Sequence, residues 1–344
     1  MRDRDSGGMR RRRRRFDDED DAYDEYDQRD GFDQYDGFDQ YDEDDSYDGY
    51  GPYDEDDPGV VKHRRAGPST VDDDPRGPDT GDRWTSWDAA GVLHGPEPRP
   101  DWVLTEGAAV DTELGILKTG KEADVHLVER AVPETGRSTL LAAKRYRDAG
   151  HRLFHRDAGY LEGRRVRESR QNRAMAKRTA FGKQLIAGQW AFAEFAALGR
   201  LWELGNQLGG VRVPYPVQLL GTELMLEFIG EPDGTAAPRL AQLRPSGEEL
   251  ADLWRQLVDA LAVLARAGLA HGDLSPFNVL VHRGQLVLID LPQVVDVVSN
   301  PQGREFLARD VRVMATWFTA RGLPLDRADP LALTGILLAD AGIR

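Results

Sequence analysis

The chain has 344 residues, enough for two ordinary domains or for one domain with tails. It holds no cysteine, which excludes disulfides, thiolate nucleophiles and cysteine-based metal sites. The formal net charge is −15, but residues 1–60 carry 23 Asp/Glu against 9 Arg and no Lys, so −14 of it sits in that segment and the rest is close to neutral.

Residues 1–99 read as a disordered acidic tail. The stretch GFDQYDGFDQYD (31–42) is a tandem six-residue repeat, with little apolar surface to offset the entropy of ordering. The run Arg10–Arg15 is followed by acidic residues instead of an apolar stretch, which argues against a secretory leader. That run has two readings, attraction to nucleic acid or anionic membrane, or pairing with its own acidic neighbours. The Tyr-Asp repeats fit either a self-associating segment or a solubilising one. Trp84 and Trp87 are the first large hydrophobic residues outside the repeats and are candidates to dock on the folded part. No run of about 18 apolar residues is present, so no membrane partner and a cytoplasmic location are expected.

From residue 100 onward the pattern is that of an α+β domain, with a small β-sheet lobe over about 100–228 and a helical lobe over about 229–344. Residues 112–132 (TELGILKTGKEADVHLVERAV) read as strand, Gly turn, strand, and TLLAAKRYR (139–147) as a third strand. The basic stretch 145–178 follows, with 11 Lys/Arg against 4 Asp/Glu. Its Arg164, Arg167 and Arg170 recur every three residues, so it is either a solvated loop or a face for RNA or an acidic partner. Residues 187–205 have helical apolar spacing, and TELMLEFIG (222–230) reads as a strand. A long helix is expected over 246–268, opened by a capping box of Ser246 with Glu249 and closed at Gly268. The sequence then gives HGDLSPFNVLV (271–281), a strand QLVLID (285–290), a helix over 304–322 and a short helical tail.

Five polar features fall at the joints of these elements. The first is the turn Thr119-Gly120-Lys121-Glu122, where a glycine lets backbone N–H groups approach phosphates, although one glycine in a hairpin is also simply a hairpin. The second is Lys144 inside an apolar strand, which either faces water from an edge or points inward to a partner. The third is Glu194 among apolar helix neighbours, which either lies on a solvated face or pairs with Lys144 to position the phosphates of ATP. The fourth is Asp273 with Asn278, a carboxylate to orient the attacking group and an amide to complete a metal shell. The fifth is Asp290 at a strand end, a hard oxygen ligand suited to Mg²⁺. Each alone has a structural explanation, but the ordered set points to phosphoryl transfer.

In that order the chain resembles the protein-kinase superfamily and, within it, the first branch of the RIO atypical serine/threonine kinases. TGKEADVHL is similar to the family's S-T-G-K-E-A-[ND]-V, WAFAEF to W-A-x-x-E, LEFIG to M-E-F-I-G, GDLSPFN to G-D-L-S-E-Y-N, LIDLPQVVD to I-I-D-V-S-Q-x-V, and FLARD to F-L-x-x-D. The resemblance implies a two-lobed kinase fold over roughly 100–322 and a serine/threonine protein kinase using ATP with Mg²⁺ or Mn²⁺. It implies nucleotide contacts at Thr119, Gly120, Lys121, Glu122, Lys144 and Glu194 and at the hinge residues Glu227 and Ile229. It implies catalysis by Asp273 and Asp290 and metal ligation by Asn278 and Asp290. It also implies an aspartyl phosphate on Asp290, because relatives are thought to form one at the matching aspartate. The segment after Asp290 points the same way: it lacks Phe-Gly and runs almost directly into a helix, which leaves little of a peptide-binding platform.

The chain departs from the family pattern at Lys118, Pro276, Pro292 and Leu226, where Ser, Glu, Ser and Met are usual; none of these removes a reacting group. Two other readings remain open. One is a small-molecule kinase of the aminoglycoside type, which shares H-G-D-x-x-x-x-N but lacks the T-G-K-E-A turn. The other is a nucleotide-switched assembly factor, with an RNA or ribosomal partner reached through 145–178. The Ala/Leu/Arg-rich domain suggests a high-GC bacterial source, so the ribosomal role of eukaryotic and archaeal relatives is not carried over directly. The protein substrate is not named by the sequence.

Overall fold

The computed structural model describes residues 78–147 and 180–343. They lie in one compact unit, Thr70–Arg344. A seven-stranded antiparallel sheet comes first. It comprises β1 (Arg83–Trp84), β2 (Leu93–His94), β3 (Val110–Thr119), β4 (Ala123–Val132), β5 (Arg137–Tyr146), β6 (Pro216–Leu220) and β7 (Glu223–Glu227), in the spatial order β1-β3-β4-β5-β7-β6-β2. The first helix, α1 (Ala180–Leu208), precedes β6 in the chain, and Ala187, Ala191, Leu198 and Leu201 bury its inner face. Helices α2 (Gly247–Arg266), α3 (Gly303–Thr319) and α4 (Pro330–Asp340) follow. Between α2 and α3 lie the pairs β8 (Leu269–Ala270) with β11 (Val295–Asp296) and β9 (Val279–His282) with β10 (Gln285–Leu288). This is the α+β, kinase-like architecture expected from the sequence.

Local chemistry explains most boundaries. Ser246 Oγ accepts from Glu249 N–H, and the Glu249 carboxylate accepts from Ser246 N–H, so the α2 capping box forms. Leu250, Leu253, Trp254, Leu257, Leu261 and Leu264 recur at helical spacing and are all buried. Gly268, at φ +72°, ends the helix where a side chain would be strained. Strands β4 and β5 pair through all ten of their residues, which sets Lys144 opposite Val125.

Several expectations need correction. The domain begins before residue 100, because residues 78–99 contribute β1 and β2, and β1 pairs with β3 through Arg83↔Asp111 and Trp84↔Val110. Trp87 is docked at 6% exposure in a cluster with Val128, Leu141, Tyr215 and Met225, whereas Trp84 stays exposed. Trp87 also stacks on His94, with ring centroids 4.0 Å apart. Helix α1 extends beyond 187–205 at both ends, and β6 has no counterpart in the sequence reading. The expected strands 222–230 and 285–290 end at Glu227 and Leu288. Of the basic stretch 145–178, residues 148–178, with Arg164, Arg167 and Arg170, lie outside the described residues, as does the tail before 78.

A fully buried ion pair braces the sheet. Arg130 donates to both oxygens of Asp111 at 2.7 and 3.0 Å and to Gln218 Oε1 at 2.9 Å. Gln218 in turn donates to Ser86 Oγ at 2.8 Å, which links the residue before Trp87 to the pair. Trp87→Ala is expected to cost about 3–5 kcal/mol, the usual range for emptying a buried aromatic site, read as a lowered urea midpoint. A change within experimental scatter would show that residues 78–99 unfold separately from the domain.

Candidate active site

The site is assembled where β5, α1 and the segment after β10 meet. Lys144 sits in β5 between Ala143, which is buried, and Arg145. Its ammonium donates to Glu194 Oε1 at 2.9 Å, lies 2.8 Å from Glu194 Oε2, and donates to Asp290 Oδ1 at 2.7 Å. Both open sequence alternatives are therefore resolved towards the interior. Glu194 is 1% exposed. Besides Lys144 it accepts from the Tyr146 hydroxyl and from Leu291 N–H at 3.2 Å.

The electrostatics follow from this packing. Burial works against the Lys144 ammonium, but Asp290 and Glu194 outweigh it and hold its pKa well above the ordinary lysine value. Burial, then the Glu194 charge, pushes the Tyr146 phenol well above its usual pKa. Burial would raise the Asp290 carboxyl, but Lys144 dominates, with Lys118 and His271 adding to it, and the pKa falls. Asp290 is thus ionised at neutral pH. Its side chain keeps 40% exposure, and its backbone adopts φ +64°, unusual for a residue other than glycine.

The HGDLSPFN segment forms a second group. Gly272 takes φ +85°, and the Asn278 amide nitrogen donates to Asp273 C=O at 2.9 Å. That bond assigns the Asn278 Oδ1 as its acceptor or ligand atom. The buried carboxylate of Asp310, on α3, accepts from Gly272 N–H at 2.8 Å and from Leu274 N–H at 3.0 Å. Burial raises its pKa despite these bonds. Arg309 donates through both Nη atoms to Asp273 Oδ1 at 3.2 Å. The two groups are tied through Ile289, whose N–H donates to Asn278 C=O at 3.0 Å and whose carbonyl lies 3.1 Å from His271 Nε2.

The turn Thr119–Glu122 joins β3 to β4. Gly120 N–H donates to Ala123 C=O at 2.9 Å, and a Cβ on Gly120 would stand 2.9 Å from that oxygen, so the turn requires glycine. Lys121 is exposed, and Lys118 at the end of β3 acts on Asp290 through its charge. Glu227 ends β7 with its carboxylate accepting from Tyr215 N–H at 3.1 Å, in a cleft of about 290 Å³ lined by Trp102, Trp202 and Arg212. Arg212 Nη2 lies 3.7 Å from the same carboxylate. Ile229 is buried with Ala237 and Val287, and Leu280 and Ile289 pack against them.

Among the described residues no group of three His, Asp or Glu side chains is arranged to hold a metal ion. Asn278 Oδ1 with ionised Asp290 offers two hard oxygen ligands, a set that suits Mg²⁺ shared with substrate phosphates. Among the described residues no helix is long and apolar enough to cross a membrane. Sequence reasoning missed three contributors: Tyr146, Arg309 and the role of Asp310. Asp310 stood in the FLARD match, and that match was the only signal.

A RIO domain model matches residues 142–329, which leaves the Thr119–Glu122 turn outside the match. RIO-type serine/threonine-protein kinase Rio1 of Haloferax volcanii is 35% identical over 224 residues, 65% of this chain and 69% of that protein. Serine/threonine-protein kinase RIO1 of Caenorhabditis elegans is 32% identical over 224 residues, 65% of this chain but 40% of its own length. Serine/threonine-protein kinase RIO3 of Homo sapiens is 27% identical over 227 residues, 64% of this chain and 41% of its own length. The chain therefore matches about two fifths of these two animal relatives.

The folded pKa values of Lys144 and Tyr146 exceed their ordinary values of 10.5 and 10.0. A raised value means that their stabilisation is complete below pH about 10 and is lost as pH rises through the folded pKa. The urea midpoint should fall above that pH, and Tyr146→Phe should make the fall shallower. Parallel curves for the two proteins would exclude Tyr146 from the coupled group.

Proposed function

This chain belongs to the RIO family of serine/threonine protein kinases, and from that premise we propose that it binds ATP with Mg²⁺ or Mn²⁺ and transfers the γ-phosphoryl group to a protein serine or threonine. The observation that carries the reading is Lys144, held at 2.7 Å from Asp290 and 2.8 Å from Glu194. The backbone of Thr119, Gly120, Lys121 and Glu122 cradles the phosphates, and Lys144, braced by Glu194, takes the α- and β-phosphates. The backbones of Glu227 and Ile229 meet the adenine. Asn278 and Asp290 would hold the metal, which would supply positive charge against the phosphates. Asp273 orients the acceptor hydroxyl and receives its proton.

A second acceptor is favoured by one observation. Residues 291–302 alone separate Asp290 from α3, which leaves a short segment for a peptide-binding platform, and the Asp290 carboxylate is 40% exposed. In this route an Asp290 oxygen bonds to the γ-phosphorus while the bond to the β,γ-bridging oxygen breaks, and ADP leaves with that electron pair. Water then attacks the acyl phosphate and releases inorganic phosphate, restoring the carboxylate. The cytoplasm fits this chemistry as a location, since ATP is available there.

ATP with Mg²⁺ at about 100 times its dissociation constant should add roughly 2.7 kcal/mol to stability, visible as a higher melting temperature. Asp290→Ala should abolish the Mg²⁺-dependent part, and Lys144→Met should weaken the response to nucleotide. An unchanged wild-type melt would overturn the kinase reading. Protein labelled from γ-³²P-ATP, quenched in acid and treated with neutral hydroxylamine, should lose the label if it is carried by Asp290. Label that resists hydroxylamine and maps to Ser or Thr would retire the acyl phosphate and leave the kinase.

A further inference from the structure

Two consecutive residues of α3 grip the loop that carries Asp273, and they grip it differently. Asp310 is fully buried and takes the backbone N–H groups of Gly272 and Leu274, on either side of Asp273. That fixes the path of the chain but leaves the rotation of the Asp273 side chain undetermined. Arg309 acts on that remaining freedom. Its Nη1 donates to Gly272 C=O at 3.2 Å, and Nη1 and Nη2 both reach Asp273 Oδ1 at 3.2 Å. A planar guanidinium anchored to the loop's own backbone offers a fixed fork to the carboxylate, which a flexible ammonium does not.

The charge of Arg309 matters as well as its shape. The loop HGDLSPFN contains no lysine or arginine, and Lys144 is already engaged by Glu194 and Asp290. Arg309 is a cation that the structure places directly on Asp273, and it remains 39% exposed. Side chains that are merely structural in α3, such as Leu307, Val311, Met314 and Phe318, are buried.

We infer that Arg309 is a positioning residue for phosphoryl transfer, holding the Asp273 carboxylate in the orientation that receives the acceptor hydroxyl. This rests on the kinase reading above. Misplacing a reacting group by about 1 Å costs on the order of 100-fold in rate. Arg309→Ala should therefore lower kcat about 10- to 100-fold, with the KM for ATP and the stabilisation by ATP with Mg²⁺ unchanged, because Lys144, Asn278 and Asp290 are untouched. Arg309→Lys should recover part of the loss. Arg309→Gln, which keeps a donor for Gly272 C=O but not the charge, should recover less.

The test is a double-mutant cycle on the full chain, reading γ-³²P transfer in single turnover together with the melting temperature. In an Asp273→Asn background, Arg309→Ala should have no further effect, since it acts through the carboxylate. Arg309→Ala with wild-type rate would overturn the inference and leave a surface ion pair without consequence. A rate above wild type would overturn it too and make the contact an inhibitory latch. Equal losses in both backgrounds, or a fall in melting temperature for Arg309→Ala and Arg309→Gln alike, would make the role structural and so overturn it. A wild-type protein that binds ATP but transfers no phosphoryl group would refute the kinase reading and this inference with it, whereas an active wild type confines any failure to Arg309.

Discussion

Glu194 lies at 1% exposure, and the donors around its carboxylate are what make that tenable. A carboxylate removed from water costs several kcal/mol unless hydrogen bonds and a counter-charge replace the lost hydration. Lys144 supplies the charge, and the Tyr146 hydroxyl and Leu291 N–H supply the remaining bonds. These donors come from β5 and from the residue after Asp290, so one buried group on α1 ties the sheet to the segment that carries Asp290. If Glu194 loses a partner, the sheet, the helix and the Asp290 segment lose their common reference point.

A parallel arrangement operates on the other side of the site. The buried carboxylate of Asp310 organises backbone N–H groups, and the neighbouring guanidinium of Arg309 organises a side chain. Both anchors are acidic residues on helices that accept loop N–H groups, Glu194 from Leu291 and Asp310 from Gly272 and Leu274. The loops bearing Asp273 and Asp290 have short secondary structure of their own, with β8 and β11 only two residues each. Their geometry therefore depends on the helices they touch.

Much of this was legible in the sequence, and the parts that were not share a cause. Lys144, Glu194, Asp273, Asn278 and Asp290 stood out because each is a polar residue in a locally apolar or turn-forming context. Tyr146 gave no such signal, since a tyrosine at a strand end is unremarkable until Glu194, 48 residues away, is brought to it. Arg309 looked like one more charge on an amphipathic helix. The Arg130–Asp111–Gln218 group spans three strands, with Gln218 88 residues from Arg130, and no spacing rule connects them. The boundary at residue 100 failed for a related reason. Residues 78–99 are rich in Pro, Gly and Asp, and their place in the domain is set by a single tryptophan and two very short strands, which composition cannot register.

The shared position of Lys144 between Glu194 and Asp290 bears on how an anionic ligand would enter the site. With one ammonium between two carboxylates, the site carries its own counterion, so Asp290 and Glu194 do not drive the sheet and the lower loops apart. On the proposed kinase reading, an incoming triphosphate would take Lys144 from Asp290 while Asp290 turned to the cation delivered with it. Binding would then be an exchange of ionic partners, with the strength of the Lys144–Asp290 contact subtracted from affinity. The same contact would compete with ADP for Lys144 and favour its departure.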